Sequence, residues 1–288
     1  MNSSKSLDTL VADIYSTLDC LSDGVDLNIS DKEVFDFGEK MKAALVHWAT
    51  PRTQSTGLRM SNVGKPARQL WYDINRESSN NKHSASTQIK FLYGHVLEEL
   101  LLMLVRLAGH EVTNEQKQVK VEGIVGHMDC KVDGEVVDVK SASGFAFKKF
   151  AQGTLAEQDD FGYMAQLAGY EEHEGTINGG FLVINKENGE ICLFRPDDMD
   201  KPDIKSKIKK LKKAIKLDIP PKKCYSSIPE GVKGNEKLHR SCGYCPHKFE
   251  CWQDANDGKG LRAFKYSKGP TYLTKVVAAP RVEEILIE

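Results

Sequence analysis

Apolar residues recur along this chain with two different periods, and the change of period predicts where helices and strands lie. Residues 87–108 carry apolar side chains at the spacing of a mostly buried helix. Residues 126–140 instead alternate around Asp133-Gly134, a strong signal for a hairpin closed by a two-residue turn. A second hairpin is predicted for residues 180–194. The pattern therefore predicts an α/β protein whose sheet is extended by hairpins.

The turn of the first hairpin determines which side chains face one another. With Val132 opposite Glu135, counting back along both strands places Asp129 directly opposite Asp138. The Cβ atoms of such a pair lie about 5 Å apart, so two carboxylates there repel each other unless a divalent cation joins them. Lys140 emerges on the same face, because strand side chains alternate. Two acids around a metal, with an ammonium beside them, suit phosphodiester hydrolysis. The other interpretation is a hairpin with a charged solvent face.

An acidic pair, Glu98-Glu99, interrupts the apolar surface of the predicted helix. Glutamate is seldom buried without a partner. Gly94 lies one turn before Glu98 on the same face and leaves room for a strand or a phosphate to approach. Glu98 is therefore the predicted third metal ligand, and Glu99 is the alternative. A solvated helix edge is the interpretation that involves no metal.

A further helix is predicted after Asp159-Asp160, which offer an N-cap. Gln166 and Tyr170 lie one turn apart on the same face of this helix. An amide and a phenol in this arrangement can hold a backbone phosphate or a base. An ordinary half-buried helix edge is the competing interpretation.

The four groups of residues form a series of short motifs. In chain order they are Gly94-x-x-x-Glu98, Gly126-x-x-Asp129, Asp138-x-Lys140 and Gln166-x-x-x-Tyr170. The series resembles the motifs of the RecB-type branch of the PD-(D/E)XK nuclease superfamily, over about residues 57–252. The resemblance implies a restriction-endonuclease-like core, in which helices flank a mixed sheet, together with a Mg²⁺ or Mn²⁺ site and hydrolysis of DNA.

The resemblance also implies a role for each motif residue. Glu98, Asp129 and Asp138 look like the metal ligands, and Lys140 looks like the residue that orients or activates the attacking water. The pair formed by Gln166 and Tyr170 matches the motif that steadies the substrate strand. Many members of this branch have histidine where Glu98 stands, so the carboxylate here adds negative charge to the metal site.

Three cysteines lie within ten residues near the C-terminus: Cys242, Cys245 and Cys251. Seven cysteines without a signal peptide predict reduced thiols and a cytoplasmic protein, of a bacterial or phage-infected cell. Thiolates in a stretch rich in Gly, Pro and Lys suggest a loop tied down by Zn²⁺ or by an iron–sulfur cluster. Three unligated thiols are the alternative.

The triplet resembles the C-terminal cysteine cluster of iron–sulfur members of the same nuclease branch, which include CRISPR-associated adaptation nucleases. This implies a [4Fe-4S] cluster, with Zn²⁺ as the alternative, acting as a structural clasp. In those proteins a fourth cysteine lies upstream, in a Cys-x-Arg block followed by Trp or Tyr. The corresponding residues here, 61–72, contain no cysteine. Cys224 is the predicted fourth ligand because it is close in sequence, and Cys20 is the runner-up.

Composition and charge limit the function without defining it. The chain has 288 residues, of which 40% are hydrophobic and 28% charged, enough for one large core or two small ones. A net charge of -1 gives no global attraction for nucleic acid. Local basic segments matter more: residues 205–216 form a Lys-rich predicted helix that either follows a phosphate backbone or is a solvated face. Arg68 is a further candidate for contact with a DNA backbone. No apolar run reaches the length of a membrane span, so no membrane association is expected.

The predicted order of regions follows from these motifs. It is a helical N-terminal extension (1–56), the PD-(D/E)XK nuclease core (57–200), a basic helix (201–219), a cysteine metal or iron–sulfur module (220–255) and a C-terminal tail (256–288). Residues 51–57 and 77–86 are predicted to be a linker and a loop.

The expected function is that of a metal-dependent DNA exonuclease acting on ends or single strands in replication, recombination or repair. A helicase or a single-strand annealing protein is a candidate partner. The alternatives are a structure-specific endonuclease on the same core and a non-catalytic DNA-binding subunit.

Overall fold

The computed structural model describes residues 5–51, 57–76, 84–267 and 269–286. Contacts within the chain divide it into two compact units. The first unit comprises residues 1–64 and 78–210, and the second comprises residues 65–77 and 211–288. The predicted linker and the predicted loop lie largely at 52–56 and 77–83, outside the described residues.

Helices and strands follow one another in separate runs along the described chain. The helices are α1 (Leu10–Ser22), α2 (Asp31–Ala49), α3 (Ala67–Asn75), α4 (Ala85–Leu107), α5 (Gly144–Ala151), α6 (Tyr163–Glu174), α7 (Ile204–Ala214), α8 (Arg240–Gly243), α9 (Lys248–Cys251) and α10 (Ala255–Gly258). The strands are β1 (Val112–Thr113), β2 (Gln118–Val121), β3 (Ile124–His127), β4 (Cys130–Val132), β5 (Glu135–Ala142), β6 (Gly180–Asn185), β7 (Ile191–Phe194), β8 (Ile228–Glu230), β9 (Asn235–Lys237), β10 (Arg262–Tyr266), β11 (Gly269–Lys275) and β12 (Glu284–Ile285). Short 3₁₀ turns occupy Met60–Asn62, Ala156–Gln158 and Asp198–Asp200.

The first unit is built on a mixed sheet in the order β1-β4-β5-β6-β7. Strands β5 and β6 are parallel and are joined through α5 and α6, whereas the other neighbours are antiparallel. Val132 pairs with Glu135, and the turn residues Asp133 and Gly134 both have positive φ, at 49° and 87°. The predicted two-residue turn is therefore confirmed. The second predicted hairpin is confirmed as β6 and β7.

The main core of the first unit lies between one face of this sheet and helices α1 and α4. Its buried members from the helices and from β4 and β5 are Leu10, Ile14, Leu101, Leu102, Val105, Cys130, Val132, Val137 and Val139. Cys130 therefore packs in the core. The predicted N-terminal helices are confirmed, and α1 contributes its apolar side chains to the core because they recur on one face.

The second unit contains a sheet in the order β12-β10-β11-β9-β8, the helix α3 and the short helices α8 to α10. Residues 65–77 belong to this unit, although the sequence assigned them to a core spanning residues 57–200. The reason is that α3 bonds to the chain after α7. The indole N–H of Trp71 donates to the Leu217 carbonyl at 2.7 Å, and the Asn75 amide donates to the Ile215 carbonyl at 2.9 Å.

The basic helix is confirmed as α7, which ends two residues earlier than predicted, at Ala214. Ile204, Ile208 and Leu211 are its buried apolar side chains. Lys205 pairs with Glu172 at 2.5 Å, so part of the positive charge of α7 is neutralised within the protein. Among the residues that the structure describes, no helix combines the length and the apolar character needed to cross a bilayer.

Candidate active site

The hairpin of β4 and β5 brings two carboxylates together at the open end of its ladder. Cys130 pairs with Val137, so the next position places Asp129 opposite Asp138, as the sequence predicted. The ladder stops there because the Val139 N–H donates to the Asp129 Oδ2 at 2.7 Å instead of to a backbone carbonyl. The Asp129 side chain is thereby oriented by the neighbouring strand.

Asp138 is the most buried of the acidic residues in this hairpin. Its residue is 0% exposed, and the Lys140 ammonium contacts its Oδ2. Oδ1 has no hydrogen-bond donor among the described residues. A buried carboxylate oxygen without a donor is costly, and such groups are uncommon outside functional sites.

Glu98 reaches this cluster from α4, where the Gln116 side-chain amide donates to its Oε1 at 2.8 Å. Burial and then the Asp129 carboxylate raise the pKa of Glu98 to about 8. Burial and the Asp138 carboxylate raise the pKa of Asp129 to about 7. Burial lowers the pKa of Lys140, but the two aspartates outweigh it and hold the pKa above its usual value. The structure thus brings the four predicted residues together: three acids that repel one another and the ammonium of Lys140.

Glu99, the alternative ligand, lies in a different environment on the same helix. Burial raises its pKa, while Lys40 and Arg106 act to lower it. Its Oε2 is buried and has no hydrogen-bond partner among the described residues.

Gln166 and Tyr170 lie one turn apart on α6, as predicted, and bond to each other. The Gln166 amide donates to the Tyr170 hydroxyl at 2.8 Å, and this hydroxyl donates to the His127 carbonyl at 2.7 Å. Tyr170 is only 2% exposed, so its hydroxyl serves the contact between α6 and β3. Contact of this pair with a substrate strand stays a prediction.

The N-cap residue of α6 is Gly162 and not one of the two aspartates that the sequence predicted, but the Asp159 carboxylate still caps the first turn. The Asp159 carboxylate accepts from the backbone N–H groups of Gly162, Tyr163 and Met164 at 2.8, 2.9 and 2.9 Å. It satisfies several of the free N–H groups at the start of the helix.

Tyr163 and Gln116 are neighbours of the cluster that the sequence motifs do not include. The Lys140 ammonium lies 5.2 Å from the centroid of the Tyr163 ring. Helical spacing could have revealed Tyr163, because it precedes Gln166 by three residues and Tyr170 by seven. No local pattern could have revealed Gln116, which lies in the segment between β1 and β2.

The carboxylate oxygens of this cluster are ligands that suit a hard divalent cation. The Asp138 Oδ1 has no hydrogen-bond partner among the described residues and can bind such a cation. Within the described ranges, no three His, Cys, Asp or Glu side chains are already arranged around one metal position. The fit therefore rests on the chemistry of the donors and on the buried oxygen without a partner.

The four predicted cysteine ligands line one pocket of the second unit: Cys224, Cys242, Cys245 and Cys251. Burial, followed by Cys224, raises the pKa of the Cys242 thiol to about 12. All seven cysteines, each within the described residues, are free thiols. Cys20 lies in α1, where its thiol contacts the Ser16 carbonyl at 3.5 Å. Soft thiolates suit Zn²⁺ or iron–sulfur chemistry, although these described thiols are not already arranged around one metal position.

Arg68 lies beside these cysteines, on α3. Its Nε donates to the Cys251 sulfur at 3.0 Å, and its guanidinium also donates to the Pro221 carbonyl and to the Tyr72 hydroxyl. These contacts are all within the second unit. The contact of Arg68 with a DNA backbone stays a prediction, because the described hydrogen bonds use its guanidinium in the cysteine pocket.

Comparisons with known proteins found neither a matching family profile nor a matching curated protein. Among solved structures, SSO0001 is similar with a TM-score of 0.37 and 16% identity, over 63% of this chain and 83% of that chain. The alkaline exonuclease LHK-Exo from Laribacter hongkongensis has a TM-score of 0.34 and 14% identity, over 54% of this chain and 91% of its own. Its complex with dAMP gives a TM-score of 0.34 and 13% identity, over 54% and 92%. Scores this low carry no argument about family or activity, so the RecB-type branch stays a prediction.

Proposed function

We propose that this chain is a metal-dependent nuclease that hydrolyses DNA. The observation that carries the proposal is the buried Asp138, which faces Asp129 across a hairpin, contacts Lys140 and has one carboxylate oxygen without a donor. A binding protein has no use for such a cluster, because each buried and unsatisfied charge lowers stability. A nuclease does, since the same acids can hold a cation against a phosphate.

Each residue of the cluster has a distinct role in this proposal. Glu98, Asp129 and Asp138 would hold Mg²⁺ or Mn²⁺, which when bound polarises the scissile phosphate and favours ionisation of a nucleophilic water. The Val139 N–H orients Asp129, and the Gln116 amide orients Glu98. Lys140 supplies positive charge where the pentacovalent transition state gains negative charge. A role for Lys140 as the general base is the alternative assignment.

We further propose exonuclease activity on ends or single strands, with a structure-specific endonuclease as the alternative. The preference comes from the sequence motif of Gln166 and Tyr170, which resembles that of a branch rich in end-processing enzymes. A helicase or an annealing protein remains a proposed partner.

The cysteine pocket is proposed to hold a [4Fe-4S] cluster, with Zn²⁺ as the alternative and Cys224 as the fourth ligand. What supports Cys224 is that it lines the same pocket as Cys242, Cys245 and Cys251. The bound group would stabilise the second unit and take no part in hydrolysis.

The test is degradation of end-labelled linear DNA and of closed circular single-stranded DNA with Mg²⁺ or Mn²⁺. Asp138→Asn is compared with the wild type, and Asp200→Asn, a substitution at an exposed position, is the control. We expect metal-dependent loss of the linear substrate alone, abolished by Asp138→Asn and retained by Asp200→Asn. Cutting of the circle would favour the endonuclease. A folded wild type that degrades neither substrate would contradict the proposal and favour the DNA-binding subunit.

A further inference from the structure

Phe161 is a large apolar side chain that the protein holds in solvent. It is 67% exposed and lies two residues before α6. Its ring stacks on the ring of Tyr163, with centroids 5.5 Å apart and planes inclined by 25°. The two rings form a short aromatic stack whose outer member is open to solvent.

The backbone around Phe161 is tightly held. The Asp159 carboxylate accepts hydrogen bonds from the N–H groups of the three residues that follow Phe161, which are Gly162, Tyr163 and Met164. Gly162 has φ +81°, and a Cβ there would lie 2.2 Å from the Gly64 Cα. Only glycine fits such a close approach of two backbones. The exposure of Phe161 is therefore built into the loop.

The stack leads to the acidic cluster. The Tyr163 ring lies 5.2 Å from the Lys140 ammonium, which in turn contacts Asp138. Beside a phosphate bound at Lys140, the Tyr163 ring would therefore be the first aromatic surface and Phe161 the second, one stacked ring further out. Aromatic side chains beside a phosphate site are suited to unpaired bases, because every base has a face that can stack.

We propose that Phe161, supported by Tyr163, stacks on an unpaired base next to the scissile phosphate. The proposal rests on the proposed nuclease function and adds the side chains that would contact an unpaired nucleotide of the substrate. Within a duplex both faces of an interior base are covered by its neighbours, so the stack has no partner there. This stack of Phe161 and Tyr163, here called the platform, therefore favours single strands and unpaired ends over continuous duplex.

The test is binding of a fluorescein-labelled oligothymidylate with Ca²⁺ in place of Mg²⁺, by anisotropy. Phe161→Ala is compared with Phe35→Ala, a matched control because Phe35 in α2 is also 67% exposed. Losing one base stack should weaken binding by Phe161→Ala about tenfold, and Phe35→Ala should bind as the wild type does. Thermal unfolding of both variants verifies that they are folded.

A second measurement separates stacking from a general loss of affinity. The oligonucleotide is prepared with one abasic position at a time, and each version is titrated with the wild type and with Phe161→Ala. We expect one abasic position that weakens wild-type binding and leaves the variant unchanged. In Phe161→Trp, indole emission should be quenched when the intact oligonucleotide binds and not when that position is abasic.

If the wild type degrades DNA and Phe161→Ala binds the oligonucleotide with equal affinity, the stacking role of Phe161 is contradicted. The proposed nuclease function is then unaffected. The platform is likewise contradicted if every abasic position weakens both proteins alike. If the wild type neither degrades DNA nor binds the oligonucleotide, the proposed function fails and the platform fails with it.

Discussion

At the scale of single residues, Gly126 has a packing reason for standing in the motif before Asp129. A Cβ at Gly126 would lie 2.4 Å from the Met60 Cβ, and one at Gly169 would lie 2.2 Å from the Met60 sulfur. Met60 is fully buried, and these two glycines form the slot that admits it. The slot packs the turn containing Met60 against both β3 and α6.

We predict that Gly169→Ala lowers the free energy of unfolding by about 1–3 kcal/mol, because the added methyl group would lie 2.2 Å from the Met60 sulfur and would displace this side chain. Met60→Ala alone should cost about 2–5 kcal/mol through the cavity that it leaves. The double variant should be clearly less destabilised than the sum, since the added methyl group then has space. Urea unfolding of the three variants measures this coupling, and additive effects would contradict the slot.

Gly94 provides the contrast within the same series of motifs. A Cβ at this position in α4 meets no atom within 4 Å. We therefore expect Gly94→Ala to raise the free energy of unfolding by roughly 0.5–1 kcal/mol, as glycine is unfavourable inside a helix. A loss of nuclease activity in this stabilised variant would indicate that a phosphate approaches α4 at this point.

At the scale of elements, His110 joins helix α1 to the turn of the first hairpin. Its side chain is 0% exposed, and its two ring nitrogens lie 2.6 Å from Asp133 and 3.1 Å from Asp13. Asp13 lies in α1, and Asp133 is the first residue of the turn between β4 and β5. One imidazole therefore couples the N-terminal helix to the strands that carry the acidic cluster.

His110→Ala should lower the free energy of unfolding by about 2–4 kcal/mol, because it leaves two carboxylates close together without a bridging donor. His173→Ala is the control, since His173 is exposed and its Nδ1 contacts the backbone N–H and carbonyl of one residue, Lys120. Chemical denaturation measures both variants. Equal effects of the two substitutions would show that the bridge does not couple the elements.

Glu115 ties two helices of the first unit together. It pairs with Lys40 of α2 and, at 2.5 Å, with Arg106 of α4. Burial raises the pKa of Glu115, but the bonds from Lys40 and Arg106 outweigh it and lower the pKa below the ordinary value. A lowered folded-state pKa stabilises the fold above the unfolded-state pKa, and this stabilisation is lost as the pH falls.

We expect Glu115→Gln to lower the free energy of unfolding by about 1 kcal/mol at pH 7, given that the side chain is partly solvated. The difference from the wild type should shrink below the unfolded-state pKa, about 4.3, and vanish once the folded carboxylate is protonated. Glu39→Gln, which breaks an exposed pair with Lys42, should change little at either pH. Urea unfolding at pH 7 and at a pH below the unfolded-state pKa measures the difference between the wild type and Glu115→Gln. A difference that does not depend on pH would contradict the assignment of this stabilisation to the Glu115 carboxylate.

At the scale of the whole molecule, the two units can be followed separately by their tryptophans. The chain has three. Trp71 and Trp252 belong to the second unit and are 3% and 7% exposed, whereas Trp48 of the first unit is 36% exposed. Buried indoles emit at shorter wavelength, so a shift of tryptophan emission reports mainly on unfolding of the second unit.

Cys242→Ser is predicted to remove the bound metal and to move the tryptophan transition to lower denaturant concentration, because metal binding stabilises the fold that forms the site. Iron with sulfide, or zinc alone, in the purified wild type identifies the group. Cys224→Ser should lose the metal as well, and Cys20→Ser should keep it. Loss of metal from Cys20→Ser, or a metal-free Cys242→Ser of unchanged stability, would contradict the proposed clasp.

The local features of this protein could be predicted from its sequence alone. Alternation around Asp133-Gly134 predicted the hairpin and the pairing of Asp129 with Asp138, because a two-residue turn leaves one register. Helical spacing predicted α4. It also predicted that Gln166 and Tyr170 lie side by side, because residues four apart are neighbours on a helix. These relations involve residues close in the chain, where period and turn chemistry are sufficient.

The relations between distant segments depend on the folded structure and could not be predicted in this way. Two contacts at the acidic cluster depend on how separate elements pack: that of Gln116 with Glu98 and that of Tyr163 with Lys140. No periodicity in the sequence connects the residues of either contact. The assignment of residues 65–77 to the second unit is of the same kind, since the partners of α3 lie more than a hundred residues further along. A sequence pattern reports the face that a segment buries, whereas the segment that covers this face is selected by packing of the whole chain.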